Sequence, residues 1–534
     1  MLRSHQSANG CLPIQAGPQS FTCVATIAMN MNMNLTTIVC AVLALSGCGG
    51  GGGSDTPSQA GTETRLSESL TTADAAAQTM SCDVVPPLPL LSSNVINVTD
   101  YGAIPDDDED DTGPIQAALN TARNGQWVVF PAGRYIHNRS LQVNRAGVTL
   151  WGQGATLHAI SPTDQSVMLK ASNTRIFGFT LTAVTEGRGT KPEHARIAAY
   201  GSDTPDGFIS GVVIQGNSVV PAVANAGSNL SNSATAAGIL LVSTRDFLVA
   251  HNRVERSLAD GIHVTGRSRN GRILENVVRE TGDDTIAVVS YLDKNWRTNL
   301  SNSPDWFSLS GFRSKVTDIL IARNDVSGQY WGRGIAVIGG ERVTIKSNTI
   351  SRSAMGAGIL VARERPYESH GINNVLVEDN DVSLVQTNPP EYMPIGSFYN
   401  DLYAKTSTNG GRTGQAGIEV HNTSSSADIN SDLLRPVVML ENVLVRNNRV
   451  SNVWRDAIRI GADSQVGSIL GIELISNFTN FAGNNPVSSS FQGGAVVPIY
   501  CAENTYNGGP VSISACEAAS VKVGVNWGAS ISCY

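Results

Sequence analysis

Residues 238–288 read GILLVSTRDFLVAHNRVERSLADGIHVTGRSRNGRILENVVRETGDDTIAV, and one frame comes round repeatedly within them. Gly238-Ile239, Gly261-Ile262 and Thr285-Ile286 each open a strand-like run, at steps of 23 and 24 residues. Between them come Asn252 and Asn276, each after a strand-like run and with an apolar residue close behind. The strand frame returns at Gly334-Ile335, Gly358-Ile359, Gly417-Ile418 and Ala457-Ile458, and the second frame at Asn217, Asn324, Asn348, Asn380, Asn448 and Asn477. The longer steps read as one or more coils carrying an insertion. A period of this size, rich in Val and Ile and poor in helix signals, predicts a solenoid of short strands with the Ile of each frame pointing inward. Residues one repeat apart then become neighbours on one sheet, about 4.8 Å apart. The repeated Asn reads as structural: it tolerates a left-handed turn, and a stack of them can hydrogen-bond coil to coil.

Composition agrees with this reading. The chain has 534 residues, 53 Gly and only 15% charged residues, which suits a fold that turns every few residues around a large core. Net charge is -8 and no basic stretch occurs, which argues against nucleic acid as a partner. Residues 35–47 are apolar but too short for a usual spanning helix, and they end at Leu45-Ser46-Gly47-Cys48. That ending resembles the lipobox of bacterial lipoproteins. The resemblance implies lipid on Cys48, a leader and lipoprotein signal over 1–48, and a cell-envelope location. Gly49 is not the Asp that resembles an inner-membrane retention signal, so the outer membrane is expected. Residues 1–28 read as an over-long start. Residues 49–85 open with a Gly49–Gly53 run and read as a flexible linker, leaving 86–534 for the solenoid and a cysteine-containing C-terminal cap. Cys82, Cys501, Cys516 and Cys533 are then an even set in an exported protein, which favours disulfides with three possible connectivities and a local bridge among the last three. A monomer is expected, touching the membrane only through its lipid.

Residues 96–103 (INVTDYGA) and an acidic loop, Asp106 to Asp111, precede a stretch with Ile115, Ala118 and Leu119 at helical spacing. A helix over Pro114 to Arg123 would cap the open end of the first coil. This segment resembles the opening region of right-handed parallel β-helix proteins, the pectin-degrading superfamily among them. The expected fold is therefore all-β, a right-handed single-stranded parallel β-helix of ten or more coils over 96–480 with an N-terminal capping helix. Three insertions break the repeat, at 291–315, 386–414 and 423–440. The first carries Trp296, Trp306 and Phe307, and the second Tyr392, Phe398, Tyr399 and Tyr403. Such aromatics either stack on sugar rings or pack the loops onto the solenoid.

Aligning the coils on the inward Ile gathers the polar residues. Two positions before it stand Ala237, Asp260, Asp284, Arg333, Ala357, Ala416 and Asp456; one after it stand Leu240, His263, Ala287, Ala336, Leu360, Glu419 and Arg459. Asp260, Asp283, Asp284, Arg333 and His263 converge on consecutive coils. Asp-Gly is an ordinary turn signal, but stacked carboxylates repel and need a reason. Carboxyls held close push their pKa values apart and supply an acid and a base, the pair that glycosidic hydrolysis uses. With Arg333 beside it, Asp284 is expected to stay ionised, leaving Asp283 to hold the proton.

Asp260-Gly261-Ile262, Gly282-Asp283-Asp284 and Gly332-Arg333-Gly334 resemble, in order and spacing, the blocks of the polygalacturonase family of glycoside hydrolases. The resemblance implies that Asp283 is the general acid and that Asp260 and Asp284 activate water. His263, Trp331, Arg333 and Arg363 are the expected substrate contacts, with no metal or cofactor. The sequence departs from the family in three places. Leu258-Ala259 replaces Asn-Thr, and Arg333 stands where the family has His. Gly358-Ile359-Leu360-Val361-Ala362 lacks the Arg and Lys that hold an acidic sugar. Those losses weigh against galacturonate and leave a carboxylate-based hydrolase of another glycan. Three readings follow: an inverting glycoside hydrolase; a polysaccharide lyase or uronate epimerase, with Ca²⁺ on the Asp cluster; and a non-catalytic glycan-binding solenoid.

Overall fold

The computed structural model describes residues 83–510, except 203–206, 225–227, 294, 303–314, 388–411, 464–467, 492–498 and 508. Cys48, Cys82, Cys516, Cys533 and the leader lie outside the described residues, as do Trp306, Phe307, Tyr392, Phe398, Tyr399 and Tyr403. Among the described residues no helix is long and apolar enough to cross a membrane.

The inward Ile of each frame lies in register with the next: Ile239 with Ile262, then Ile286, Ile335, Ile359, Ile418 and Ile458. All seven are fully buried. The long steps are therefore single coils that carry an insertion. Each regular coil gives one strand to each of three parallel sheets, and the whole is a right-handed parallel β-helix. The first sheet runs from Val95–Asn97 to Ile499–Ala502, and the second from Gly133–His137 to Thr505–Tyr506 and Gly509–Pro510. The third has eleven strands among the described residues, from Leu141–Val143 to Val487–Phe491. The ladders continue past residue 480, the expected limit. Among the described residues Cys501 sits on the last strand of the first sheet, and it is disulfide-bonded.

The recurring Gly has a packing cause. A Cβ at Gly261 would stand 2.2 Å from Val278 Cγ1, and one at Gly334 would stand 2.4 Å from Ile350 Cγ2. The corner between the second and third sheets closes onto the core only where the side chain is absent.

The Asn column is a continuous ladder inside the wall. From Asn217 through Asn252, Asn276, Asn324, Asn348, Asn380, Asn448 and Asn477 to Asn504, each Nδ2 donates to the next Oδ1 at 2.9–3.1 Å. Asn504 extends the column one coil beyond the eight read from sequence. The left-handed turn expected at these Asn belongs instead to the residue before each one, such as Gly216 (φ 68), His251 (φ 53), Arg323 (φ 54) and Glu503 (φ 56). The Asn is needed for its amide, which donates and accepts within a buried stack that water does not reach.

The helix spans Thr112–Thr121, and Ile115, Ala118 and Leu119 join the main core, as the periodicity predicts. Just ahead of the first strand, Asp83 to Leu88 lie along the outer face of the first sheet. Gln215 Nε2 donates to Pro86 O at 2.7 Å, Asp83 faces Arg323 at 3.5 Å, and Val85 packs on Leu248, Leu274 and Leu320. Residues 83–85, at the end of the expected linker, thus contact the solenoid.

Candidate active site

The corner leading into the third sheet carries Asp260, Asp284 and Arg333 on three consecutive coils, just before strands Ile262–Thr265, Ile286–Val289 and Ile335–Ile338. Backbone bonds Gly261 N to Asp284 O (2.9 Å) and Thr285 N to Arg333 O (3.0 Å) fix these corners against one another. Asp283, beside Asp284, completes the group. Asp260, Asp283 and Asp284 each place a carboxyl oxygen within 4.8 Å of the others. The expected convergence is present, and the outward column one past the Ile is in register too, with His263 opposite Ala287 and then Ala336.

Every carboxyl has a specific partner. His263 Nδ1 lies 2.6 Å from Asp260 Oδ2, and Asp284 N–H donates to Asp260 Oδ1 at 3.1 Å. Arg333 N–H donates to Asp284 Oδ1 at 2.6 Å while its guanidinium stands 3.7 Å from that oxygen and bonds Glu364. Asp283 pairs with Arg188 at 2.5 Å. Arg188 lies between strands Thr180–Ala183 and Ile197–Tyr200, in a stretch the repeat frames do not reach.

Burial dominates the electrostatics. It works to raise the Asp260 carboxyl, but His263, Arg188 and the Asp284 amide together hold that carboxyl below the usual range. Asp284 goes the other way. Burial lifts it well above the ordinary value, Arg333 opposes, and the neighbouring Asp283 and Asp260 push it further up. This corrects the expectation that Arg333 keeps Asp284 ionised. Arg333 divides itself between two carboxylates, and Asp284 has only 6% of its side chain exposed. Burial and the neighbouring carboxyls thus favour the protonated form of Asp284.

A cavity of about 540 Å³ opens over the group. Its walls include His263, Trp331 and Arg333, as expected, together with Arg188, Tyr291, Glu364 and Tyr367, which the sequence reading missed. Tyr291 opens the first insertion, and Thr413 and Gln415, at and just past the end of the second, also reach the wall. One expectation is corrected. Arg363 does not line the cavity: it is fully buried, 3.6 Å from Glu368, and burial pushes it down to about 10. Trp296 is also buried, packed on Leu292, Ile429 and Val438, with its indole N–H donating to Glu368 at 2.9 Å. It fastens the first insertion to the third rather than offering a ring to a ligand.

A family model described as "Rhamnogalacturonase A/epimerase, pectate lyase-like" matches residues 95–196, the opening coils, and stops short of the Asp cluster. The sequence has no match among curated proteins. Among solved structures, the catalytic domain of Agl-KA superposes with a TM-score of 0.53 at 15% identity, covering 80% of this chain and 70% of that one. The catalytic unit of a thermostable GH87 alpha-1,3-glucanase from Streptomyces thermodiastaticus strain HF3-3 does so with a TM-score of 0.50 at 18% identity, covering 78% and 69%. At such identities the likeness is one of fold. The parallel sheets, the match over the opening coils and these superpositions agree that the chain is a right-handed β-helix of the pectate lyase-like kind.

Proposed function

We propose that this chain is a polysaccharide-active enzyme, a glycoside hydrolase whose acid and base come from Asp260, Asp283 and Asp284. The observation that carries the reading is the approach of three carboxyls to within 4.8 Å on the floor of a cavity large enough for sugar rings. Asp260, kept ionised beside His263, draws a proton from water. The acid is the Asp283–Asp284 pair acting as one coupled group. Burial favours the protonated form of Asp284, and Asp283, with 17% of its side chain exposed, is the more open to the glycosidic oxygen. Arg333 bridges Asp284 and Glu364 and fixes the corner.

The oxygen donors of the same trio also suit Ca²⁺, which supports the lyase or epimerase as a second reading. One experiment separates them: purified protein on a polysaccharide panel, with and without chelator. New reducing ends without ultraviolet absorbance, unaffected by chelator, are expected. An absorbing, chelator-sensitive product means a lyase, and binding without turnover means a non-catalytic solenoid. The anomer released first, followed by NMR, tests the inverting stereochemistry. The carboxyl oxygens approach more closely than the ~6.5–9.5 Å usual for that outcome.

On this reading the domain is held at the bacterial outer membrane by lipid on Cys48, with the linker 49–85 as tether. The support is the Leu45-Ser46-Gly47-Cys48 sequence and the Gly-rich run behind it. Cys48→Ala should move the protein from the membrane to the soluble fraction; full retention on membranes refutes the anchor.

A further inference from the structure

The walls of the cavity also constrain the charge of the substrate. Among the described residues they contain three cationic or cation-forming side chains, Arg188, Arg333 and His263, and each is engaged by a carboxyl group of the same wall. Arg188 holds Asp283, Arg333 holds Asp284 and Glu364, and His263 holds Asp260. A sugar carboxylate entering here would have to displace a buried carboxylate from its partner, or sit among carboxylates without one. Both are costly among charged side chains that are each no more than 21% exposed.

Among the described residues the strand beside the cluster offers no replacement: the outward positions of Ile359–Arg363 are Leu360 and Ala362, each 1% exposed. They form one apolar patch with Ala287, Val289, Ala336 and Ile338. Val289 and Ile338 reach the cavity wall, and the rest of its lining includes the aromatics Tyr291, Trp331 and Tyr367 with the uncharged Thr190, Thr413 and Gln415. Aromatic faces, hydroxyls and an amide are the groups that meet an uncharged sugar, through stacking and neutral hydrogen bonds.

We infer that the glycan taken by this site is neutral, a polymer of uncharged hexoses or pentoses rather than a uronate. The inference rests on the reading of the cavity as a glycan site and deepens it.

The test uses the whole β-helix domain and matched probes. Affinity electrophoresis and reducing-end release are measured on neutral glucans, galactans, mannans and xylans. They are also measured on polygalacturonate and alginate, each beside its carboxyl-reduced, uncharged counterpart. At least one neutral polymer is expected to retard the protein, and each uronate to bind roughly ten-fold or more weakly than its reduced counterpart, as like charges in a shared site repel. Tighter binding or cleavage of a uronate than of its reduced form overturns the inference, whichever chemistry is found. Failure of every neutral polymer to bind overturns it as well. Retardation by a neutral polymer without cleavage upholds the inference while overturning the hydrolase.

Discussion

Replacing Asn276 by Ala removes one link of the buried ladder at the coil that carries the Asp cluster. Its Oδ1 accepts both the backbone N–H and the amide of Asn252, each at 3.0 Å. Its Nδ2 donates to Asn324 Oδ1 at 2.9 Å, to Val249 O at 3.0 Å and to Leu274 O at 3.1 Å. After the change the Asn252 side-chain amide keeps a second acceptor, Ile214 O at 2.8 Å. Asn324 Oδ1 likewise keeps the Asn276 backbone N–H at 2.9 Å. The Asn252 backbone N–H loses its acceptor in a wall where both Asn are at most 1% exposed. One orphaned buried donor costs roughly 1–3 kcal/mol, and the four remaining lost bonds add up to about 1 kcal/mol each, so the expected loss lies between ~1 and ~7 kcal/mol. Urea unfolding reads the total. Because a stacked array can open locally, hydrogen exchange at the Asn252 amide reads the site itself. A loss below ~1 kcal/mol together with unchanged exchange at Asn252 would refute the claim that the ladder stabilises the coil through its amides.

Asp283→Asn and Asp284→Asn should each lower turnover on an identified glycan by ~10²–10⁴-fold with melting temperature preserved or raised; full activity in either refutes the coupled acid. Arg188→Ala removes a charge that helps keep Asp260 low, so the acid limb of the kcat/KM profile should move to higher pH; an unmoved limb refutes the assignment of Asp260 as base. His137 is buried against Arg196 and pushed down to about 3, first by burial and then by that charge. Its contribution to stability is complete above the unfolded value near 6.5 and is lost as pH falls toward 3, so its ring resonances should not titrate between pH 7.5 and 5; a midpoint near 6.5 refutes its burial as a neutral ring.

The repeat was legible because a parallel β-helix ties sequence period to space. A residue that must be Ile to fill the core, or Asn to join the ladder, recurs at the period and shows itself. The same logic located Asp260, Asp284 and Arg333, since they occupy one column of that alignment. What escaped the columns escaped the reading. Arg188 enters from a stretch between strands that belongs to no frame, and nothing in its sequence ties it to Asp283, 95 residues away. Glu364 stands in neither aligned column, and only its place beside the buried Arg363 brings it to Arg333. The left-handed turn was assigned to Asn by residue preference. The structure gives it to the residue before, because the Asn side chain has to point into the wall.

The position of the site follows from the architecture. Along the outward column of the third sheet, polar residues stand at His263 and, after apolar Ala287, Ala336 and Leu360, again at Glu419 and Arg459. Glu419 is 1% exposed, and there Arg459 and His421 satisfy it at 2.5 and 3.1 Å, so charge is matched by charge. At Asp260, Asp283 and Asp284 the matching stops one step short. Two guanidiniums and an imidazole face four carboxyls, and Arg333 is shared between Asp284 and Glu364. A solenoid could have closed this corner with a further Arg or with Ala, as Ala357 and Ala416 do on later coils. Burying an under-compensated carboxyl costs stability unless it keeps its proton. Such a proton, held under a cavity beside an ionised neighbour, is what acid–base chemistry on a glycosidic bond requires. The fold therefore supplies the spacing, and under the proposed function the shortfall in positive charge among the described residues is what would supply the acid.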